Sequence, residues 1–167
     1  MFKNLFFLFL ALFFTPGFSA EDIDGFWKTV NEDGKAQCIL GIYEYEDIRY
    51  GRIIATFDDD GNKIEDSIYN PKKRAPGVVG DPYYCGLDII WDLVPKGDRY
   101  KGKILDPQKG NIYNSELWID DGDLIVRGKL LFFGRNYRWY EVTKEDLPEG
   151  FKMPNLNEFV PVIPVVK

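Results

Sequence analysis

Proton-transfer chemistry needs titratable groups held in pairs, and this chain offers few of them. It contains no histidine. That excludes Ser-His-Asp and Cys-His nucleophilic catalysis and histidine-based metal sites. Two cysteines, Cys38 and Cys85, are too few for a zinc site. In an oxidising compartment they could form one disulfide; the alternative is two buried thiols. The acidic run Asp58-Asp59-Asp60-Gly61-Asn62 lacks the spaced ligands and closing Glu of a calcium loop, so it reads as a solvated turn. Asp106 invites a catalytic reading beside Tyr113. Yet Asp106-Pro107-Gln108-Lys109-Gly110 is turn chemistry. The Asp accepts bonds from the backbone just ahead, the Pro fixes φ, and Gly110 takes the left-handed position. No acid–base pair is positioned by the sequence, and no metal or cofactor is expected.

What remains is the chemistry of binding. Tyr43, Tyr45, Trp91, Tyr100, Trp118 and Tyr137 recur in alternating segments. Such aromatics are first of all core, and some would line a ligand if the interior holds one. Arg127 points opposite to Val126 and Gly128, serving either a buried anion or the solvated outer face. Lys72-Lys73-Arg74 is a basic triplet in an acidic chain of net charge −6. It could offer an anionic head group a local field opposing that net charge. The overall balance argues against nucleic acid and against docking on anionic lipid. Gly25-Phe26-Trp27 opens the first alternating segment, and Arg138-Trp139 lies in the last. If those segments are neighbours, Trp27 could sit under Arg138 and plug one end of the fold.

The elements that position these residues are short strands. Upstream of them, Lys3 precedes an apolar run from Leu5 to Phe14, a Pro16-Gly17 break and the small residues Ser19-Ala20. That is the order of parts in a secretory signal peptide. The run is too short for a hydrocarbon core, which needs about 20 residues. Residues 1–20 are therefore expected to be removed, leaving an exported, periplasmic or secreted chain that begins near Glu21 and has no transmembrane segment. Removing Lys3 leaves 20 basic and 27 acidic residues, a net charge of −7.

From Asp24 onward, eight alternating segments are separated by turn chemistry. They are Asp24–Val30, Gln37–Tyr45, Tyr50–Phe57, Gly86–Val94, Arg99–Leu105, Ile112–Ile119, Leu124–Phe133 and Asn136–Val142. Asp-Gly and Pro-Lys-Gly-Asp connections are hairpin signals. Eight sequential antiparallel strands with one buried face close into an up-and-down barrel, which removes exposed edges. A long loop, Lys63 to Pro82, follows the third strand and is expected to cover the end opposite the Trp27 plug. A Pro-rich tail, 144–167, follows the barrel domain, 21–143. It packs either on its own barrel or on a partner in the cell envelope.

The stretch from Gly86 to Gly128 carries a more specific pattern. It holds Gly86-Leu87, Trp91, Tyr100-Lys101-Gly102-Lys103-Ile104, Asp106-Pro107-Gln108-Lys109-Gly110, Tyr113 and Val126-Arg127-Gly128, with Tyr137-Arg138-Trp139 beyond. Together with the early Gly25-x-Trp27, it resembles the exported bacterial proteins catalogued as domain of unknown function 2147. The resemblance implies a lipocalin-like barrel outside the cytoplasm and no established activity. Two departures stand out. Here Arg138 precedes its Trp, and the Val-Arg-Gly strand runs on into apolar residues.

Three functions compete on these residues. The first is a binding module holding a small apolar or amphipathic ligand. The second is a structural envelope protein with a filled barrel and no ligand. The third, an enzyme using two carboxylates, has the least support. The volume of the interior decides between the first two.

Overall fold

The computed structural model describes residues 19–130 and 133–167. The strands are β1 (Gly25–Val30), β2 (Ala36–Tyr45), β3 (Ile48–Phe57), β4 (Ile64–Ser67), β5 (Asp88–Lys96), β6 (Arg99–Asp106), β7 (Asn111–Asp120), β8 (Asp123–Leu130) and β9 (Phe133–Glu141). Every pairing between them is antiparallel. The circuit β1-β2-β3-β5-β6-β7-β8-β9 returns to β1, so the sheet is closed. Eight strands make the barrel, as expected. β4 is an addition, lying within the stretch read as irregular. It pairs with the last residues of β3, beyond the point where β5 leaves that strand.

Tight turns explain the meander. Between β7 and β8, Asp121 and Gly122 both have positive φ, +54° and +82°, the geometry whose twist matches a two-residue hairpin. The meander places the β1–β2, β6–β7 and β8–β9 turns at one end, together with the long connection from β3 to β5. The β2–β3, β5–β6 and β7–β8 turns lie at the other end.

Cross-strand partners share a face, so register identifies the interior. Trp27 faces Leu40, Leu117 faces Val126, and Leu124 faces Trp139, all buried in the main core. A fully buried aliphatic side chain contributes about 1.5–3 kcal/mol. The long connection closes part of its end by sending Ala75, Val78 and Cys85 into the same core. Gly77 rests on Gly110 of the β6–β7 turn. A Cβ at Gly77 would lie 2.2 Å from the Gly110 nitrogen, so neither glycine tolerates a side chain there.

A second apolar cluster lies outside the barrel. Ile39, Ile54, Ala55 and Phe57 are buried by the tail residues Leu147, Phe151, Met153 and Phe159. Gly41 admits the strap, because a Cβ there would lie 2.7 Å from Leu156 Cδ2. The strap begins with one 3-10 turn, Lys144–Asp146, where Asp146 pairs with Lys28. It ends against the loop, with Val79 N donating to Val165 O at 2.8 Å and Lys167 N to Gly77 O at 3.1 Å. The tail therefore packs on its own barrel. Val160, Val162, Ile163 and Val165 keep exposed apolar side chains.

Candidate ligand cavity

Where β6 to β9 approach the end carrying the long β3–β5 connection, the lid end, the barrel interior is not filled. A row of small residues runs across three strands there, with Gly102 opposite Ser115 and Ser115 opposite Gly128. Above that row lies a cavity of about 650 Å³, walled by Ile104, Leu105, Tyr113, Val126, Tyr137 and Trp139. Gly128, Asp106, Lys109 and Arg135 complete the lining, and both cations are exposed. Alternation explains the wall. Val126 and Gly128 are two apart on β8, and Arg135, Tyr137 and Trp139 are two apart on β9. At Gly128 a Cβ would meet only Ile104 Cγ2, at 4.0 Å. Ser115 Oγ is buried without a hydrogen-bond partner among the described residues.

The cavity's β9 wall, Arg135, Tyr137 and Trp139, adjoins the barrel seam. Among the described residues, β1 and β9 register only at Trp27 with Glu141 and Lys28 with Tyr140. Toward the lid end the described residues of β9 carry no further β1 partner, which leaves a slit in the ladder. Arg135 spans it, pairing with Glu32 of the β1–β2 turn at 2.5 Å, and its guanidinium lies 5.5 Å from the Tyr137 ring centre.

Most of the expected ligand residues lie elsewhere. Tyr43 is buried on the strap side of β2, where its hydroxyl donates to Asp88 Oδ1 at 2.8 Å and its ring meets Phe159 edge-on. Burial, and then the neighbouring Asp88 carboxylate, push its phenol well above the usual tyrosine range. Tyr45 is half-buried at the edge of the main core. Trp91 is buried in β5 next to Asp92, whose φ of +56° marks a bulge. Tyr100 points inward near the far end, under the Arg49 guanidinium at 4.9 Å. Trp118 lies on the outer face, because its neighbour Leu117 points in. Of the six aromatics, Tyr137 alone lines the cavity. Lys72, Lys73 and Arg74 stay within their loop. Lys72 Nζ donates to Glu65 O, Lys73 pairs with Glu65 at 2.8 Å, and Arg74 stacks on Tyr83 at 3.7 Å.

The structural residues fare differently. Asp106 and Gly110 form the expected turn, Asp106 Oδ1 accepting from Gln108 N at 3.0 Å and Lys109 N at 3.2 Å. Gly110 has a φ of +73° and Gly25 one of +143°, values that only glycine adopts without strain. Trp27 is buried inside, its Nε1 donating to Ile23 O at 2.9 Å. Arg138 does not cover it. Adjacent residues point to opposite faces, so Trp139 goes in while Arg138 goes out to Asp120 and Asp123, at 2.6 and 2.9 Å. Cys38 and Cys85 are both free thiols, not a bridge. Burial pushes Cys38 up to about 11 and Cys85 up to about 12.

Residues 25–141 match the family described as an uncharacterized protein conserved in bacteria (DUF2147). The chain belongs to this family. Among curated proteins, none matches it. Among solved structures, it is similar to protein HP1028 from the human pathogen Helicobacter pylori, which is described as belonging to the lipocalin family. The two are 20% identical over 82% of this chain and 94% of that one, with a TM-score of 0.62. At that identity the likeness shows a lipocalin-like fold and nothing finer.

The DUF2147 match holds the whole cavity wall and leaves out the strap. The wall residues outside the six expected aromatics are Ile104, Leu105, Tyr113, Val126, Gly128 and Trp139. All but Leu105 carried a signal nonetheless, since each belongs to the spaced motifs of the DUF2147 pattern. Lys109 sits inside one of those motifs, while Arg135 had no signal in the sequence.

Proposed function

We propose that this DUF2147 protein is an exported binder of a small amphipathic molecule, with its apolar body in the barrel and an anionic group at the slit. The cavity is the observation that carries this reading. About 650 Å³ behind apolar walls falls within the roughly 300–1,000 Å³ range of small-molecule sites. Lys109 and Arg135 at its rim take the place that sequence reasoning gave to Lys72, Lys73 and Arg74. These two exposed cations, set beside Asp106 and Glu32, are the groups at the rim that an anion could pair with.

Titration with a fluorescent long-chain fatty acid and with its neutral amide tests the reading. Saturable binding is expected for both. Lys109→Ser with Arg135→Ser should weaken the acid about tenfold at low salt, and the amide less than about twofold, because exposed charges act through a screened field. Equal losses would remove the cations from the site. No binding of either probe would favour the structural reading of a barrel without a ligand.

Export rests on the order of Lys3, the apolar run and Ser19-Ala20 in the sequence, a segment that lies outside the described residues up to position 18. Mass spectrometry of protein recovered from the producing cell should give an N-terminus near Glu21. An intact Met1 would contradict it.

A further inference from the structure

The outer face of β6, β7 and β8 carries a cationic array that neither the cavity nor the strap uses. Register places Lys101 opposite Glu116, Lys103 opposite Asn114 and Arg127 opposite Glu116, and Arg99 lies over the Trp118 ring. Tyr100, Ser115, Leu117 and Val126 between them are buried, so these side chains share the outward face. Glu116 is only 9% exposed and sits beneath three cations, with Arg99 at 3.4 Å, Lys101 at 3.3 Å and Arg127 at 3.9 Å. One carboxylate cannot neutralise three cations. It orients them and leaves an excess of positive charge that a further anion would relieve. Lys103, held by Asn114 at 2.6 Å, extends the row; Asp98 lies beside Arg99 at 3.8 Å, and the exposed Asp92 of β5 packs against Gly102 between Lys101 and Lys103. All this lies on a chain whose net charge is −6.

We infer that this face binds an anionic polysaccharide along the β6 row. Arg99, Lys101 and Lys103 alternate on one strand, which spaces them about 7 Å apart. The face is a sheet surface rather than a pocket, so it suits an extended ligand with repeated charges. A polyuronate carries one carboxylate on each sugar, a repeat of the same order. Nucleic acid fits less well. The one aromatic ring in the array, Trp118, already has the Arg99 guanidinium 4.0 Å from its centre and that of Arg127 at 5.3 Å. It leaves little free face for a base to stack on.

The test is calorimetric titration of the whole protein with polygalacturonate, using dextran as the neutral control. Binding is expected at low salt and should fade near physiological salt, where the Debye length is about 8 Å. Lys101→Gln with Lys103→Gln and Arg127→Gln should weaken it at least tenfold. Removing the same number of charges from the loop, by Lys72→Gln, Lys73→Gln and Arg74→Gln, should change it less than about twofold, since a local field and not net charge is responsible. Circular dichroism checks that both variants fold. Equal losses in the two variants, equal binding of dextran, no binding at all, or tighter binding of oligothymidylate or of phosphatidylglycerol vesicles would each overturn the inference. The fatty-acid titration of the cavity is separate, so either site can fail without the other.

Discussion

Asp88→Ala is expected to destabilise the fold by about 3–5 kcal/mol, the usual result of stripping one partner from a buried ion pair. Asp88 is fully buried. Its two oxygens accept from four donors: Tyr43 Oη at 2.8 Å, Arg52 Nε at 3.0 Å, Arg52 Nη2 at 2.6 Å and Val162 N at 2.8 Å. Arg52 also donates to Val160 O at 2.8 Å and lies 4.5 Å from the Phe159 ring centre. One carboxylate thus joins β2, β3, β5 and the strap. Its loss leaves a cation with no counterion and frees the strap between Phe159 and Val162. Urea unfolding measures the first consequence and limited proteolysis the second, with cleavage near Val160 expected to quicken. The double variant Asp88→Ala, Arg52→Ala should be less destabilised than the sum of the two single ones, because partners in one network are not additive. An unchanged unfolding midpoint in Asp88→Ala would show that this carboxylate does not tie the strap to the barrel.

Gly128→Leu should abolish binding of the fatty-acid probe while leaving the barrel folded. The reasoning is steric. A Cβ at Gly128 meets nothing nearer than Ile104 Cγ2 at 4.0 Å, so the backbone accepts a side chain. That side chain points into the cavity between Val126 and the Arg135 strand. A leucine there occupies the volume a ligand would need, and it replaces glycine, which strands disfavour. The melting temperature should hold or rise. Probe binding that persists with wild-type affinity would place the ligand somewhere other than this cavity.

The barrel strands were legible because each element announced itself locally. Asp121-Gly122 and Gly97-Asp98 mark turns, and the residues between them alternate. β4 was not legible. Ile64-Glu65-Asp66-Ser67 has one apolar residue and no period, and it forms because β3 outlasts its pairing with β5. Parity also misled where both faces of a strand are apolar. On β2, Ile42 points into the barrel and Tyr43 lies under the strap, yet both read as core. The strap itself has no period, since prolines break it, so nothing in its sequence said which face it would cover. The cavity rim was invisible for a different reason. Lys109 and Arg135 are far apart in sequence and meet only because the meander brings β6 and β9 to the same opening, whereas Lys72-Lys73-Arg74 form a conspicuous run and pair off within their own loop.

The slit between β1 and β9 bears on residence time. Among the described residues the surface ion pair of Arg135 with Glu32 crosses it, and exposed ion pairs hold weakly and weaken further in salt. Among the described residues no strand would have to unpair for the proposed ligand to leave by that route. A ligand held as proposed would exchange quickly with its surroundings, leaving by equilibrium rather than by a triggered release.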